Sequence, residues 1–209
     1  GMYTKNKFVS PSVTLTKERV DAGNVRGLFV SSGIANTGVG EQGLVDAIDS
    51  IAAAAEHVGI PAEEMAIGTT GVIGVELPMA LIRAGIPNIE LSDDGGDAFA
   101  RSIMTTDRVP KSIALEVEVD GKVVTIGGCA KGSGMIHPDM ATMLAYVTTD
   151  AAIEHDYLNS VLHDVVDDTF NMVTIDGDMS TNDTVMLFAN GMAGNKPIAA
   201  GTPEAAGFF

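Results

Sequence analysis

The chain has 209 residues, enough for one large domain or two small ones with a substantial apolar core. Its 28 acidic and 12 basic residues give a formal net charge of −16, and this negative field disfavours nucleic acids and anionic membrane surfaces. The single cysteine, Cys129, rules out an internal disulfide bond and favours a reducing cytoplasm. No apolar run approaches the ~20 residues that a membrane-spanning helix needs, and no signal peptide is evident. We therefore predict a cytoplasmic globular protein.

Both ends of the chain are unusual. Gly1 precedes Met2, which is typical of a residue left by an expression tag. The chain stops on the apolar residues Gly207-Phe208-Phe209, soon after Thr202-Pro203-Glu204, a sequence typical of a helix start. We expect this chain to be a fragment, read as a single domain over residues 1–209.

The first half of the chain mixes short strands with helices. A helix is predicted from apolar residues at helical spacing between Leu44 and Val58, and Gly59 and Pro61 end it. Leu77–Ala84 and Ala98–Met104 are also predicted to be helical. The strands predicted in this half are Val13–Thr16, Gly27–Ser31 and Met65–Ile67.

The second half contains the strongest local signal in the sequence. Ser112–Val119 and Lys122–Ile126 alternate around Asp120-Gly121, which predicts a β-hairpin. Two further strands are predicted at Met143–Thr148 and Thr184–Ala189. Between them Asp150 is predicted to cap an amphipathic helix that contains Leu158, Val161, Leu162, Val165 and Val166. Hairpins combined with helices indicate an α+β fold, with helices layered on stacked β-sheets.

Three motif-like stretches give weak signals. Gly38-Val-Gly40-Glu-Gln-Gly43 matches the dinucleotide-binding pattern, but the preceding strand ends near Ser31, too early for the required tight turn. Asp176–Asp183 begins like a calcium-binding loop but lacks the required glycine and glutamate. The four histidines lack metal-site spacing, and His137 is either a base or plain polar surface.

The stretch from Lys131 to Asp150 carries the most chemical information. Lys131 is the only lysine or arginine between residues 123 and 195, a span with ten acidic residues. A lone cation in a glycine-rich bend is suited to holding an anion or a carboxylate. Ala141 and Thr142 follow Pro138 and precede an apolar run.

The role of Thr142 has two interpretations, one structural and one catalytic. A threonine entering an apolar strand is usually structural. Alternatively, cleavage before Thr142 would free an α-amine with a pKa of about 7.7–8.0, which can act as base for the threonine hydroxyl. Gly68-Thr69-Thr70-Gly71 is likewise either an ordinary turn or a concavity of N–H and hydroxyl donors for an oxyanion.

These stretches together resemble one known family. Lys131–Leu144 is similar to the self-cleavage region of the ornithine acetyltransferases, the ArgJ-type glutamate N-acetyltransferases of arginine biosynthesis. The resemblance covers essentially the whole chain, and further blocks match in family order. These blocks are Ser32–Asn36, Gly40–Gly43, Gly68–Gly74, Met104–Asp107, Asp176–Asp178 and Ser180–Asp183.

The resemblance implies an acyltransferase with an α-β-β-α type of sandwich. It implies self-cleavage between Ala141 and Thr142, after which Thr142 accepts the acetyl group of N-acetylornithine and passes it to glutamate. Thr70 and Gly71 match the oxyanion hole. The implied substrate-binding residues are Lys131, Thr142 and one threonine of Met104–Asp107, for which Thr105 is the first choice and Thr106 the second.

The resemblance also has implications for cofactors, assembly and cellular location. No metal or organic cofactor is expected, although some members use acetyl-CoA as donor. Family members are cytoplasmic and assemble as pairs of cleaved αβ units. Asp139 stands where the family pattern has asparagine. The opening strands and the C-terminal half of family chains are expected to be absent from this chain. An inactive, uncleaved fragment and an amidase or aminopeptidase using the same threonine remain alternatives.

Overall fold

The computed structural model describes residues 1–135 and 143–205. The described residues form five α-helices and seven β-strands. The helices are α1 (Pro11–Asp21), α2 (Gln42–Val58), α3 (Met79–Gly85), α4 (Gly96–Ser102) and α5 (His155–Asp168). The strands are β1 (Met2–Tyr3), β2 (Gly27–Ile34), β3 (Met65–Val72), β4 (Lys111–Val119), β5 (Lys122–Lys131), β6 (Leu144–Thr149) and β7 (Thr184–Ala189). No helix in this part of the chain has the length and apolar character to cross a membrane.

Two sheets lie between two layers of helices. The larger sheet has the strand order β1-β7-β6-β5-β4, and β2 and β3 form a separate parallel pair. One face of the β2–β3 pair packs on α1, α2 and α3 through an apolar cluster that includes Ile51 and Ile67. The opposite face packs on the larger sheet, where Ala66 meets Leu144 and Tyr146. The far face of the larger sheet packs on α5, so the predicted α-β-β-α layering is confirmed.

Local signals explain most of the elements. The helix predicted to end at Gly59 does so, because Gly59 adopts a φ of 74° that favours glycine. The predicted hairpin forms with positive φ at both Asp120 and Gly121, as the tight two-residue turn requires. β5 then continues past Ile126 as far as Lys131, which places this lysine at the strand's end.

Two local predictions were wrong. Val13–Thr16 is not a strand but the middle of α1, because Ser10 caps that helix and Pro11 begins it. Asp150 does not cap α5, which begins at His155. The Asp150 Oδ1 atom instead accepts the N–H of Thr125 at 2.8 Å and so ties the end of β6 to β5.

Candidate functional site

A cluster of buried polar residues lies where the β2–β3 pair meets the larger sheet. We call Thr69, Thr70, Lys131, Asn182 and Asp183 the buried wall, since each of these residues is at least 94% buried. Burial of polar side chains is costly unless they are hydrogen-bonded or paired, so such a concentration requires an explanation. Its members come from β3, from the end of β5 and from the residues just before β7.

Thr70 and Gly71 lie near the end of β3 rather than in a free turn. Gly71 pairs with Gly33 of β2, and their φ angles are +131° and +108°. A Cβ atom on Gly71 would lie 2.2 Å from the Gly33 carbonyl carbon, so only glycine fits. The register of the two strands shifts one residue further on, at Ile34. The predicted oxyanion segment is thus an irregular strand end with a backbone that no other residue could adopt without movement.

Asn182 fixes the position of the residue next to Thr70. Its Nδ2 atom donates to the Thr69 carbonyl oxygen and to Thr69 Oγ1, both at 2.9 Å, and to the Ala35 carbonyl oxygen at 2.7 Å. Its Oδ1 atom accepts from the hydroxyls of Thr37 and Thr181 at 2.9 and 2.6 Å. One side chain therefore joins the ends of β2 and β3 to the start of β7.

Asp183 contacts the residue that follows Thr142 in the chain. Its Oδ1 atom accepts the backbone N–H of Met143 at 2.9 Å, and its carbonyl oxygen accepts the N–H of Thr4 at 2.9 Å. Burial raises the pKa of Asp183 to about 8, although the Met143 N–H, Lys131 and Ser180 each lower it. A buried carboxyl group with this pKa is largely protonated at neutral pH.

Lys131 lies close to two acidic groups. Burial lowers the pKa of its ammonium group, while Asp107 and Asp183 raise it and Lys111 lowers it further. Asp107 accepts the Gly132 N–H at 2.9 Å and pairs with Lys111. Burial raises the pKa of Asp107, but the contacts with Lys111 and with two backbone N–H groups outweigh this, so the net pKa is lowered. Asp107 is therefore an ionised neighbour of Lys131 at neutral pH.

Thr105 and Thr106 lie on the surface beside this cluster. Both are exposed, and the Thr106 and Ser133 hydroxyls lie 2.6 Å apart. We call Thr105, Thr106 and Ser133 the exposed rim. The rim joins the wall through Asp107, which follows Thr106 and accepts the N–H of the residue after Lys131. The predicted substrate-binding residues Thr105, Thr106 and Lys131 thus belong to one neighbourhood.

The remaining predicted residues fall elsewhere. His137, Asp139, Ala141 and Thr142 lie outside the described residues. The calcium-like loop uses Asp176 to accept the N–H of Met135 at 2.7 Å and so holds the glycine-rich bend after Lys131. Among the described residues, no group of three or more histidine, cysteine, aspartate or glutamate side chains could hold a metal ion.

The glycine-rich loop before α2 has a packing role. Asn36 donates to the Gly43 carbonyl oxygen at 2.8 Å and to the Ser12 hydroxyl at 3.1 Å. A Cβ atom on Gly43 would lie 2.7 Å from the Val39 side chain. Helix α2 begins at Gln42, well after β2 ends at Ile34, so the loop lacks the tight turn of a dinucleotide site.

A concavity of about 490 Å³ lies at the opposite end of β7. Its lining includes Leu158 and Leu162 of α5 and Phe188 of β7, and it contains none of the buried wall. The candidate site is therefore identified by its buried polar contacts rather than by this cavity.

Sequence reasoning missed the roles of Asn182 and Asp183. Both belonged to a block that resembles the family, but nothing local indicated what they contact. The usable signal was a run of polar residues, Ser180–Asp183, placed directly before an apolar strand. Such residues are mostly exposed in proteins, and here all four are buried.

The buried hydroxyl, amide, carboxyl and ammonium groups of the wall, with shifted pKa values at Lys131 and Asp183, mark this part of the α+β sandwich as a candidate functional site. The family model described as "ArgJ family" matches residues 1–208, and the chain belongs to the ArgJ family.

Curated relatives carry the name arginine biosynthesis bifunctional protein ArgJ. The one from Symbiobacterium thermophilum is 49% identical over 204 residues, which are 97% of this chain and 51% of the relative. The one from Lactococcus lactis is 44% identical and shares 98% of this chain and 52% of its own length. The chain therefore spans about half the length of these relatives.

Two solved structures share the fold. The crystal structure of the ArgJ protein from Bacillus halodurans matches with a TM-score of 0.64 and 40% identity, covering 69% of this chain and 75% of that one. The ornithine acetyltransferase from Mycobacterium tuberculosis, solved with ornithine, matches with a TM-score of 0.61 and 33% identity, covering 69% and 76%.

Proposed function

We propose that this chain carries the self-cleavage site and the nucleophile of a glutamate N-acetyltransferase that uses N-acetylornithine, in arginine biosynthesis. Membership of the ArgJ family over residues 1–208 is the observation that carries this proposal. The buried wall supports it, since Asp183 accepts the N–H of Met143, the residue that follows Thr142, and Lys131 pairs with Leu144 across β5 and β6.

The first step is cleavage of the chain. The Thr142 hydroxyl oxygen attacks the Ala141 carbonyl carbon, the peptide C–N bond breaks, and the Thr142 nitrogen takes the hydroxyl proton. The product is an ester with a free Thr142 α-amine. Water then hydrolyses this ester, which leaves the Ala141 carboxylate and frees the Thr142 hydroxyl. The α-amine is the base that the hydroxyl needs for the second step.

The second step is acetyl transfer in two halves. Thr142 Oγ1 attacks the acetyl carbon of N-acetylornithine, and ornithine leaves with the proton on its nitrogen. The amino group of glutamate then attacks the acetyl-threonine ester and restores the free hydroxyl. One hydroxyl serves both substrates in turn, so ping-pong kinetics are expected.

Each remaining predicted residue has a role in this scheme. Thr70 and the Gly71 N–H stabilise the oxyanion that forms in each attack, because donors aimed at the developing charge lower the barrier. Lys131 holds the substrate carboxylate, and this role is supported by the ionised Asp107 beside it, which opposes the lowering of the Lys131 pKa by burial. Thr105 contacts the substrate from the exposed rim, with Thr106 beside it.

The proposal also covers partners and location. The acetylated amino acid itself carries the acetyl group, so the reaction requires no metal or organic cofactor, and acetyl-CoA is an alternative donor. The cleaved chain is expected to assemble as α2β2 in the cytoplasm. Neither nucleic acid nor membrane is a proposed partner, in keeping with the net charge of −16.

The deciding experiment is an intact mass measurement of the purified chain under denaturing conditions. Two species, residues 1–141 and 142–209, are expected, and the second should become one acetyl group heavier after incubation with N-acetylornithine. Thr142→Ala should remain a single, unacetylated chain. Acetyl transfer that persists in Thr142→Ala would contradict the proposal. A single uncut wild-type chain would make this polypeptide an inactive fragment, and acetate release without transfer to glutamate would indicate an amidase.

A Lys131→Met variant tests the carboxylate holder. It should weaken binding of N-acetylornithine and glutamate in calorimetry, because methionine fills the same space without the charge. Lys131 also lies close to Asp183, so Lys131→Met/Asp183→Asn is the matched control. Recovery of binding in the double variant would show that Lys131 acts on Asp183 and not on substrate.

A further inference from the structure

We propose that Asn182 and Asp183 are a pair of positioning residues: Asn182 fixes the Thr69–Gly71 segment, and Asp183 fixes Met143 and through it Thr142. This inference rests on the proposed function for its catalytic consequence. Its structural content, that two adjacent residues set the two sides of the site, stands on the contacts alone.

Asn182 is suited to hold the oxyanion segment. Its amide group makes five hydrogen bonds of 2.6–2.9 Å, and two of its three donated bonds go to Thr69. Thr69 also donates from its hydroxyl to the Ala35 carbonyl oxygen at 2.9 Å. Because Thr69 is bonded to Thr70, movement of this amide would displace the predicted oxyanion donors.

Asp183 is suited to hold the nucleophile side. It is only 1% exposed, and its Oδ1 atom accepts the N–H of Met143, the residue bonded to Thr142. The next residue, Thr184, donates its N–H to the Met143 carbonyl oxygen at 3.0 Å. Met143 is therefore held from both sides of its backbone by two consecutive residues.

The contacts of Asn182 with Thr69 and of Asp183 with Met143 start from adjacent residues of the backbone. Asn182 and Asp183 are neighbours in the chain, and their side chains reach different elements, the end of β3 and the start of β6. These elements belong to different sheets. One residue pair therefore ties the Thr69–Gly71 segment to Met143. Misplacement of reacting groups by about 1 Å is enough to slow catalysis about a hundredfold.

The charge state of Asp183 in its contact with Met143 should also depend on pH. The charged groups that face it are Lys131 on β5 and, around that lysine, Asp107 and Lys111. Asp183→Asn keeps an oxygen acceptor for the Met143 N–H and resembles the protonated carboxyl group, whereas Asp183→Ala removes the acceptor. The Thr142 α-amine is free in the ester intermediate, and its ordinary pKa of about 7.7–8.0 lies in the same range. Only the difference between the wild type and Asp183→Asn therefore reports on Asp183.

The test compares four variants of the purified chain by intact mass over time, between pH 6 and 9. Asn182→Ala and Asp183→Ala should slow cleavage about tenfold to a hundredfold. Asp183→Asn should retain cleavage, and its pH profile near pH 8 should differ from that of the wild type by the contribution of Asp183. The control is Asn195→Ala, since Asn195 is also buried and bonds to the Ala152 and Lys196 backbone, away from the wall. It should lose thermal stability and cleave at the wild-type rate.

Wild-type cleavage rates in folded Asn182→Ala and Asp183→Ala would overturn the inference. If the wild type is not cut, the proposed function of this chain fails, and amide NMR decides the inference alone. The Met143 amide should then titrate with a midpoint near pH 8 in the wild type and not in Asp183→Asn. The Thr70 and Gly71 amides should shift in Asn182→Ala but not in Asn195→Ala. Absence of the Met143 titration would overturn the role of Asp183 without any alanine variant. Unchanged Thr70 and Gly71 amides in folded Asn182→Ala would overturn the role of Asn182.

Discussion

The buried wall and the exposed rim of the candidate site are built in opposite ways. The wall residues are buried, and hydrogen bonds such as that of Asn182 with Thr69 join segments of the wall that are far apart in the chain. The rim residues Thr105, Thr106 and Ser133 are exposed, and the hydroxyls of Thr106 and Ser133 lie 2.6 Å apart. A wall of this kind sets the geometry of reacting groups, whereas a rim of this kind can adapt to a substrate. Substitutions should therefore cost far more in the wall.

The largest expected effect is that of Gly71→Ala. The new Cβ atom would overlap the Gly33 backbone at 2.2 Å, and the φ of +131° is strained for any other residue. We expect a loss of at least about 3 kcal/mol in the free energy of unfolding, measured by urea denaturation. Gly74→Ala is the control, because Gly74 has a φ of +83° but no atom within 4 Å of its Cβ position. It should cost only about 1 kcal/mol. Equal losses in the two variants would mean that backbone overlap does not limit Gly71.

The pH dependence of stability tests whether the wall holds a protonated carboxyl group. The folded pKa of Asp183, about 8, lies above the usual value of an aspartate. Between the unfolded and folded pKa values the folded state binds the extra proton, so stability falls as pH rises through this range. Relative to Asp183→Asn, the wild type should lose a few kcal/mol between pH 5 and 9. Thermal unfolding of both proteins across that range is the measurement. Parallel curves would show that Asp183 is ionised throughout this pH range, as an exposed carboxylate would be.

A smaller effect is expected where β3 approaches β6 beneath the wall. A Cβ atom on Gly68 would lie 2.1 Å from the Tyr146 hydroxyl oxygen, which is buried and has no hydrogen-bond partner among the described residues. Gly68→Ala should cost about 2 kcal/mol, and Tyr146→Phe should be nearly neutral. The double variant should recover most of the loss, because the phenylalanine ring leaves room for the methyl group. Additive losses in a double-mutant cycle would contradict this account of the contact.

Sequence alone predicted the layers of the fold better than the wall. The hairpin at Asp120-Gly121 and the helix that ends at Gly59 depend on the backbone preferences of single residues, which can be recognised from the local sequence. Val13–Thr16 was misread because β-branched alternation favours a strand, while the cap at Ser10 started a helix. The wall depends on contacts such as Asn182 to Thr69, 113 residues apart, which no local pattern contains. Lys131 and the Thr69–Thr70 donors were candidates from the residues alone, the resemblance supplied their catalytic roles, and those roles stay predictions.

The smallest effects should come from the rim. Thr105→Val and Thr106→Val should each change the free energy of unfolding by less than about 0.5 kcal/mol, because both side chains are exposed. If Thr105 binds substrate, losing its hydroxyl should raise the KM for N-acetylornithine about fivefold and leave kcat unchanged. Thr106 already faces the Ser133 hydroxyl at 2.6 Å, so its substitution should affect KM less. Steady-state kinetics on both variants separates the two threonines. A fall in kcat, or a loss of stability as large as that of a wall variant, would mean that the rim also fixes reacting groups and that the contrast between the two regions does not hold.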